Sequence, residues 1–257
     1  MQLDNTAAIV SGGASGLGAA TAKALAKRGV SVFALDLLAA VQAAPTVDGV
    51  EYVPTDVTDP EQVRAAVEHA SSGDPLRTVV NCAGIAPSSR ILGKKGPHDL
   101  DLYAAVVKVN LIGSFNVLAL AAERIARTDP VVDGQHGVEG QRGVVVNTAS
   151  IAAYDGQIGQ AAYSSSKGGV VALTLPAARD LAQYGIRICT IAPGIVETPM
   201  LATVSDEFRA ALASDVPFPQ RLGRPDEFAR LVLSIVDHDY LNGEVIRMDG
   251  GLRMASR

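Results

Sequence analysis

Apolar residues along this chain fall into two kinds of pattern: short continuous runs, and longer stretches where they recur every three or four positions. The short runs, at residues 7–10, 31–35, 51–53, 78–81, 143–147, 187–191 and 244–247, predict strands. The longer stretches, at 17–27, 60–70, 100–107, 114–127, 161–183, 205–214 and 225–236, predict helices. Strands that are apolar on both faces and separated by helices imply a parallel sheet covered on both sides. The expected class is therefore α/β, a doubly wound sheet whose ligand crevice lies beyond the carboxyl ends of its strands. At 257 residues one domain, 1–257, is the expectation. Two stretches interrupt the alternation. Residues 129–142 are rich in glycine and polar side chains and read as a surface excursion. Residues 87–97 carry Lys94 and Lys95 and read as a solvated loop, with a guide for an anionic substrate tail as the alternative.

Composition narrows the partners. Hydrophobic residues make up 48% and charged residues 19%, with a net charge of -5 and no basic block. That argues against a nucleic-acid surface or a polybasic membrane surface. Cys82 and Cys189 are far apart and have no metal-ligand spacing, which fits a reducing compartment. His69, His98, His136 and His238 form no ligand pattern, so no metal site is expected. The first residues lack a basic leader and no apolar run approaches the length of a membrane span, so a cytoplasmic protein without a membrane span is expected.

The first predicted strand runs into SGGASGLG at 11–18, just before a helix. Gly12, Gly16 and Gly18 let the backbone approach a pyrophosphate, and the free amides of the helix start, from Ser15 and Leu17 onward, would face it. The second strand ends at Asp36, whose carboxylate can accept from adenosine ribose hydroxyls and would repel a 2′-phosphate. Leu37 and Leu38 follow, and no Arg or Lys lies in the glycine-rich turn, so NAD is favoured over NADP. A helix N-cap is the other role open to Asp36. At the third strand end, Asp56 could accept from the adenine amino group, with Val57 offering its amide. At the fourth, Asn81, Cys82, Ala83 and Gly84 leave room for a cofactor over the strand ends. No histidine is placed to activate Cys82, which reads as a packing residue.

The chemistry centres on YSSSK at 163–167. Residues four apart share a helix face, so Tyr163 and Lys167 point the same way. A phenol titrates near ~10, and a general base at neutrality needs its anion stabilised by about 4 kcal/mol. One positive charge about 4 Å away, at an effective dielectric of ~20, supplies about that much. Ser150 ends the fifth strand, where its hydroxyl could polarise a substrate oxygen; Gln157 and Gln160 lie between it and Tyr163 as candidate substrate contacts.

SGGASGLG, DVTD at 56–59, NCAG at 81–84, Asn110, Ser150, YSSSK and PGIVET at 193–198 together resemble the short-chain dehydrogenase/reductase family along the whole chain. The resemblance implies a Rossmann sheet of order 3-2-1-4-5-6-7 and a Tyr163 acid/base. It implies that Lys167 lowers the tyrosine pKa and binds the nicotinamide ribose, and that Ser150 orients the substrate. Asn110 would hold a relay water, and Thr198 with the backbone from Pro193 to Val196 would grip the carboxamide. GQIGQAAYSSSKGG, VPFPQRLGRP and LNGEVIRMDGGLRM resemble in particular the branch acting on 3-hydroxyacyl-CoA and hydroxysteroids. The implied substrate is a 3-hydroxyacyl-CoA, with a steroid or other secondary alcohol as the alternative. The segment 200–219 is expected to build its pocket. A homotetramer, built on the helices at 111–127 and 161–183, is implied as well. A non-catalytic dinucleotide sensor is the rival from another class, and the presence of Ser150, Tyr163, Lys167 and Asn110 together speaks against it.

Overall fold

The computed structural model describes every residue except 2, 95, 132–139, 202–204 and 257. In chain order the elements are β1 (Ala7–Ser11), α1 (Gly16–Ala26), β2 (Ser31–Asp36), α2 (Leu38–Ala43), β3 (Val50–Pro54), α3 (Pro60–Ala70) and β4 (Leu76–Asn81). A small hairpin follows, β5 (Leu92–Gly93) with β6 (Gly96–Pro97). Then come α4 (Leu100–Val107), a π turn at Lys108–Gly113, α5 (Ser114–Ile125), β7 (Gly143–Thr148), α6 (Ala161–Leu181) and β8 (Ile186–Pro193). The chain ends through α7 (Asp206–Ser214), α8 (Pro225–Asp237) and β9 (Val245–Met248).

Seven strands form one parallel sheet in the order β3-β2-β1-β4-β7-β8-β9, which is the expected 3-2-1-4-5-6-7 once the hairpin strands are left out of the count. The hairpin, which the apolar pattern does not predict, falls inside the insertion at 87–97; Lys95 itself lies outside the described residues. So do 132–139 of the predicted excursion and 202–204 of the predicted pocket segment.

Alternate side chains of each strand feed different layers. Ala7, Ile9 and Val79 meet α3, α5 and the end of α6 on one face. Ala8, Val10 and Val80 meet α1 and α8 on the other. With β4, β7 and β8 buried along their whole length, most of the polar side chains they carry are paired, Thr78 being an exception. Helix α6 runs unbroken through Pro176. By length and apolar content alone, the continuous helical stretch Leu100–Ile125 would suffice to cross a bilayer; here Val117, Leu118, Ala121 and Ile125 pack in the core.

One polar row crosses the sheet just below the carboxyl ends of its central strands. In register, Ser11, Asn81, Asn147 and Thr190 are neighbours on β1, β4, β7 and β8. The Ser11 hydroxyl donates to Asn81 Oδ1 at 3.2 Å. Asn81 Nδ2 donates to Asn147 Oδ1 at 2.9 Å and to the Ser114 carbonyl at 3.2 Å. Thr190 closes the row against Thr174 of α6, with 2.6 Å between hydroxyls. Asn81→Ala strips partners from Ser11, Asn147 and Ser114 at once, each in a buried setting. The expected cost in urea denaturation is about 3 kcal/mol or more; a loss below about 1 kcal/mol would show the row to be passive filler.

Candidate active site

The carboxyl ends of β1, β2, β4, β7 and β8 converge on one groove. At its β1 corner the turn before α1 is packed too tightly for side chains. Gly12 has φ +65°, and a Cβ there would sit 2.7 Å from the Ala83 backbone nitrogen. A Cβ on Gly18 would sit 2.1 Å from the Gly12 carbonyl oxygen. Ser15 occupies the N-cap of α1, is exposed, and makes no capping hydrogen bond with its side chain. The first turn of α1 therefore keeps its amides and positive dipole end for something outside the helix. Leu17 packs its side chain into the α1/α8 layer, so it can offer the groove backbone only.

Asp36 caps no helix, because the N-cap of α2 is Leu37. Its Oδ2 accepts from the Ala14 amide at 3.1 Å, tying the glycine-rich turn to the end of β2. Its Oδ1 accepts from Leu37 N at 2.9 Å. A carboxylate standing beside the phosphate turn is the donor-accepting group that an adenosine ribose needs. Asp56 shapes its own turn by accepting from Thr58 N at 2.8 Å. The Val57 side chain is buried against Gly113. Asn81 is spent in the sheet row. Ala83 and Gly84 pass close by without side-chain bulk. Across the groove, Pro193 ends β8, Val196 bridges to Gly223, and Thr198 lies beside Gly16, its Cβ 3.5 Å from where a Gly16 Cβ would be. The two walls thus meet over the helix start, and the cradle fits a dinucleotide: space only glycine leaves, unpaired helix amides, and a carboxylate at the second strand.

The reacting end lies where β7 meets α6. Lys167 is buried and donates from Nζ to the Thr148 carbonyl at 2.7 Å. Its Nζ lies 5.9 Å from the centre of the Tyr163 ring. A Cβ on Gly84 would come within 3.1 Å of Asn110 Oδ1 and 3.6 Å of Lys167 Nζ, so a side chain there would crowd the asparagine. Ser150 accepts from Ala152 N at 3.1 Å, which leaves its own proton free to donate. Asn110 sits in the π turn, fully buried. Its amide exchanges two bonds with the Ile85 backbone, at 2.8 and 2.9 Å, and donates to Ser166 Oγ at 3.0 Å. Ser166 in turn donates to the Tyr163 carbonyl at 2.8 Å. The π turn makes this possible by widening the helix at the residue that must reach inward.

The electrostatics differ from the simple expectation. Burial pushes the Tyr163 phenol above its ordinary value, and a hydrogen bond from Ser150 only opposes the rise. Burial also pulls Lys167 down to about 8. The ammonium was expected to bring the phenol toward neutrality; in the folded chain burial prevails at the phenol, and the ammonium is itself short of solvation. Burial pushes the Cys82 thiol up to about 11, as suits a packing residue.

A cleft of about 460 Å³ opens along residues 156–161 and Ser164, facing Arg90, Ile91 and Leu92; it reaches the first turn of α6 at Ser164, and Ser150, Tyr163 and Lys167 are not in its lining. Gln157 and Gln160 line it, but the Gln157 amide is turned to the Ala255 carbonyl, 3.1 Å away. Sequence reasoning missed Thr148, Ser166 and the Ile85 backbone. The signal for Ser166 was present, a small hydroxyl three residues from Tyr163; Thr148 holds Lys167 through its main-chain carbonyl, which no side-chain pattern marks.

Comparison with known proteins agrees with this layout. The sequence profile described as short chain dehydrogenase matches residues 6–208. The chain is 50% identical to 3-hydroxyacyl-CoA dehydrogenase type-2 of Drosophila melanogaster, over 98% of this chain and 99% of that protein. It is 48% identical to the human protein of the same name, over 96% of this chain and 95% of that one. A crystal structure of 3-hydroxyacyl-CoA dehydrogenase type-2 from Mycobacterium avium superposes with a TM-score of 0.89 at 40% identity, covering 100% of this chain and 99% of that chain.

A lysine whose folded pKa of about 8 lies below its free value of 10.5 weakens the fold while it is charged. That cost is present in full below pH 8 and is relieved as pH rises toward 10.5, where the unfolded chain binds the extra proton. Lys167→Met should therefore gain stability over the wild type near pH 7, and the gain should shrink by about 3 kcal/mol by pH 10. Parallel pH curves for the two proteins in chemical denaturation would refute this.

Proposed function

The chain belongs to the short-chain dehydrogenase family, whose dehydrogenases use a nicotinamide cofactor, and on that premise we propose that it interconverts a 3-hydroxyacyl-CoA and the 3-oxoacyl-CoA with NAD. The observation that carries the reading is the convergence of Ser150, Tyr163 and Lys167 at the inner end of a dinucleotide-shaped groove, with a cleft opening along the strip that leads into the helix bearing Tyr163. Bound in the groove, a nicotinamide dinucleotide takes or gives the hydride and, when oxidised, brings a positive charge. Tyr163 removes the substrate's hydroxyl proton in oxidation and returns it in reduction. Ser150 has one proton to give: to the tyrosine oxygen in the free protein, which favours the phenolate, and to the substrate oxygen once substrate is bound. Lys167, anchored on Thr148, holds positive charge under the phenol and would bind the nicotinamide ribose. The Asn110 carbonyl accepts from Ser114 at 2.8 Å, and Asn110 would hold a water that passes protons from Lys167 outward.

Asp36 supports NAD over NADP, because a 2′-phosphate would meet a carboxylate with no nearby cation to offset it. The relatives' names support the acyl-CoA. So does the cleft, where Ile91, Leu92 and Ile158 offer apolar surface and the exposed Arg90 suits an anionic tail. Leu100, Tyr103, Ile112 and Phe115 are 79%, 38%, 47% and 49% exposed along one helix, and cover by other copies in a homotetramer would remove that apolar surface from water. Two unpaired cysteines suit a reducing, cytoplasmic setting.

Tyr163→Phe should bind NAD as the wild type does and lose about a thousandfold or more in kcat. A Phe variant with near-normal turnover would remove the tyrosine from the mechanism. In a substrate panel followed by NADH absorbance, acetoacetyl-CoA should give a higher kcat/KM than a 17β-hydroxysteroid; the reverse order would reassign the substrate. Asp36→Ala should narrow the preference for NAD over NADP, and equal wild-type use of both cofactors would overturn the assignment to NAD.

A further inference from the structure

The strip from Tyr154 to Gln160 joins the turn after Ser150 to the first turn of α6, which carries Tyr163. It has no helix or strand of its own, so its path is set by what grips it. One grip is Ser89, whose amide donates to the Gly159 carbonyl at 2.9 Å. The other comes from the opposite end of the chain. Arg247, on the edge strand β9, donates from its NH2 to Asp155 Oδ2 at 2.6 Å and to the Leu252 carbonyl at 3.0 Å. Its Nε donates to Asp249 Oδ2 at 2.7 Å. Its guanidinium also lies over the Tyr154 ring, 5.2 Å from the centre. Asp249 is nearly buried and takes a second cation, Arg253, at 3.1 Å.

The chain after β9 is turned back over the strip. Gly250 and Gly251 adopt φ +61° and +83°, conformations that side-chain-bearing residues resist. Beyond them Leu252 packs on Ile151 and Val216, and the Ile158 amide donates to the Ser256 carbonyl at 3.1 Å. Arg247 is thus where the strip, the edge strand and the returning tail are fastened to one another. Its side chain is 22% exposed and that of Asp155 21%, so the pair keeps more strength than an exposed one would.

We propose that Arg247 is a positioning residue for the reaction: through Asp155 and Asp249 it fixes the strip between Ser150 and Tyr163, and so sets the substrate side of the cleft. It touches neither the proposed cofactor groove nor the reacting atoms. This rests on the dehydrogenase reading above. The consequence is a split that general loss of stability does not produce. Arg247→Gln should raise the KM for acetoacetyl-CoA about tenfold or more, while NAD affinity, read by fluorescence titration, stays within twofold. Asp155→Ala, at a loop position that tolerates truncation, should do the same. The double variant should be no worse than the worse single, because both act through one contact.

The test pairs these kinetics with hydrogen exchange of the peptide covering 154–160 in the full-length protein. Faster exchange there in both variants, with the KM rise and unchanged NAD affinity, is the expected result. Wild-type exchange, or a KM within twofold of wild type in folded, NAD-binding variants, overturns the proposal. Should the wild type turn over no acyl-CoA or alcohol, the dehydrogenase reading fails instead, and the exchange rates still decide whether Arg247 holds the strip.

Discussion

An ammonium group moved out of water costs several kcal/mol unless another group takes over its solvation. Lys167 is in that position, with the Thr148 carbonyl as its hydrogen-bond acceptor. This one bond joins the end of β7 to the helix that bears Tyr163. It fixes how far the phenol stands from the strand ends, and it leaves a positive charge that is incompletely satisfied. The consequence is a pair of groups each held away from its ordinary protonation behaviour, the lysine lowered to about 8 and the tyrosine raised. Such a site favours neither ion strongly by itself. In the proposed mechanism it becomes a base when another positive charge enters the same poorly solvated corner, which would couple proton transfer to the presence of an oxidised cofactor.

The rest of the fold keeps that corner in place. Glycine at 12 is required by the approach of the Ala83 backbone, and glycine at 84 leaves Asn110 uncrowded. The polar row through Ser11, Asn81 and Asn147 locks the phosphate-turn strand to the catalytic strand from below. The Asn110–Ser166 bond locks the π turn to α6 from the side. From above, the returning tail and Arg247 hold the strip between Ser150 and Tyr163. Ser150 and Tyr163 are thirteen residues apart and are brought together by packing from elements at both ends of the chain.

Much of this was legible in the sequence. Strands buried on both faces leave continuous apolar runs, so seven strands and a parallel sheet could be placed, their order came from the family resemblance, and the four-residue spacing aligned Tyr163 with Lys167. Elements that lack such a signature escaped. Helix α2 is short and buries no residue fully, and the hairpin at Leu92–Pro97 has two residues a side and exposed side chains. The π turn at Lys108–Gly113 differs from an α-helix by one hydrogen-bond step, which periodicity cannot register over six residues. Asp36 could be read as a cap or as a cofactor ligand, and only the position of Leu37 as cap separates them. The protonation balance was misjudged because a charge–charge estimate from spacing carries no burial. Arg247 could not be paired with Asp155 from the sequence, since 92 positions separate them.

The account turns on when the Tyr163 phenol loses its proton. Ultraviolet difference titration of the wild type against Tyr163→Phe isolates that phenol from the other five tyrosines. It should show no ionisation below pH ~10 in the free protein, and ionisation several pH units lower once NAD⁺ is bound. A phenol already ionised near neutrality in the free protein, or one that does not respond to NAD⁺, would contradict the account.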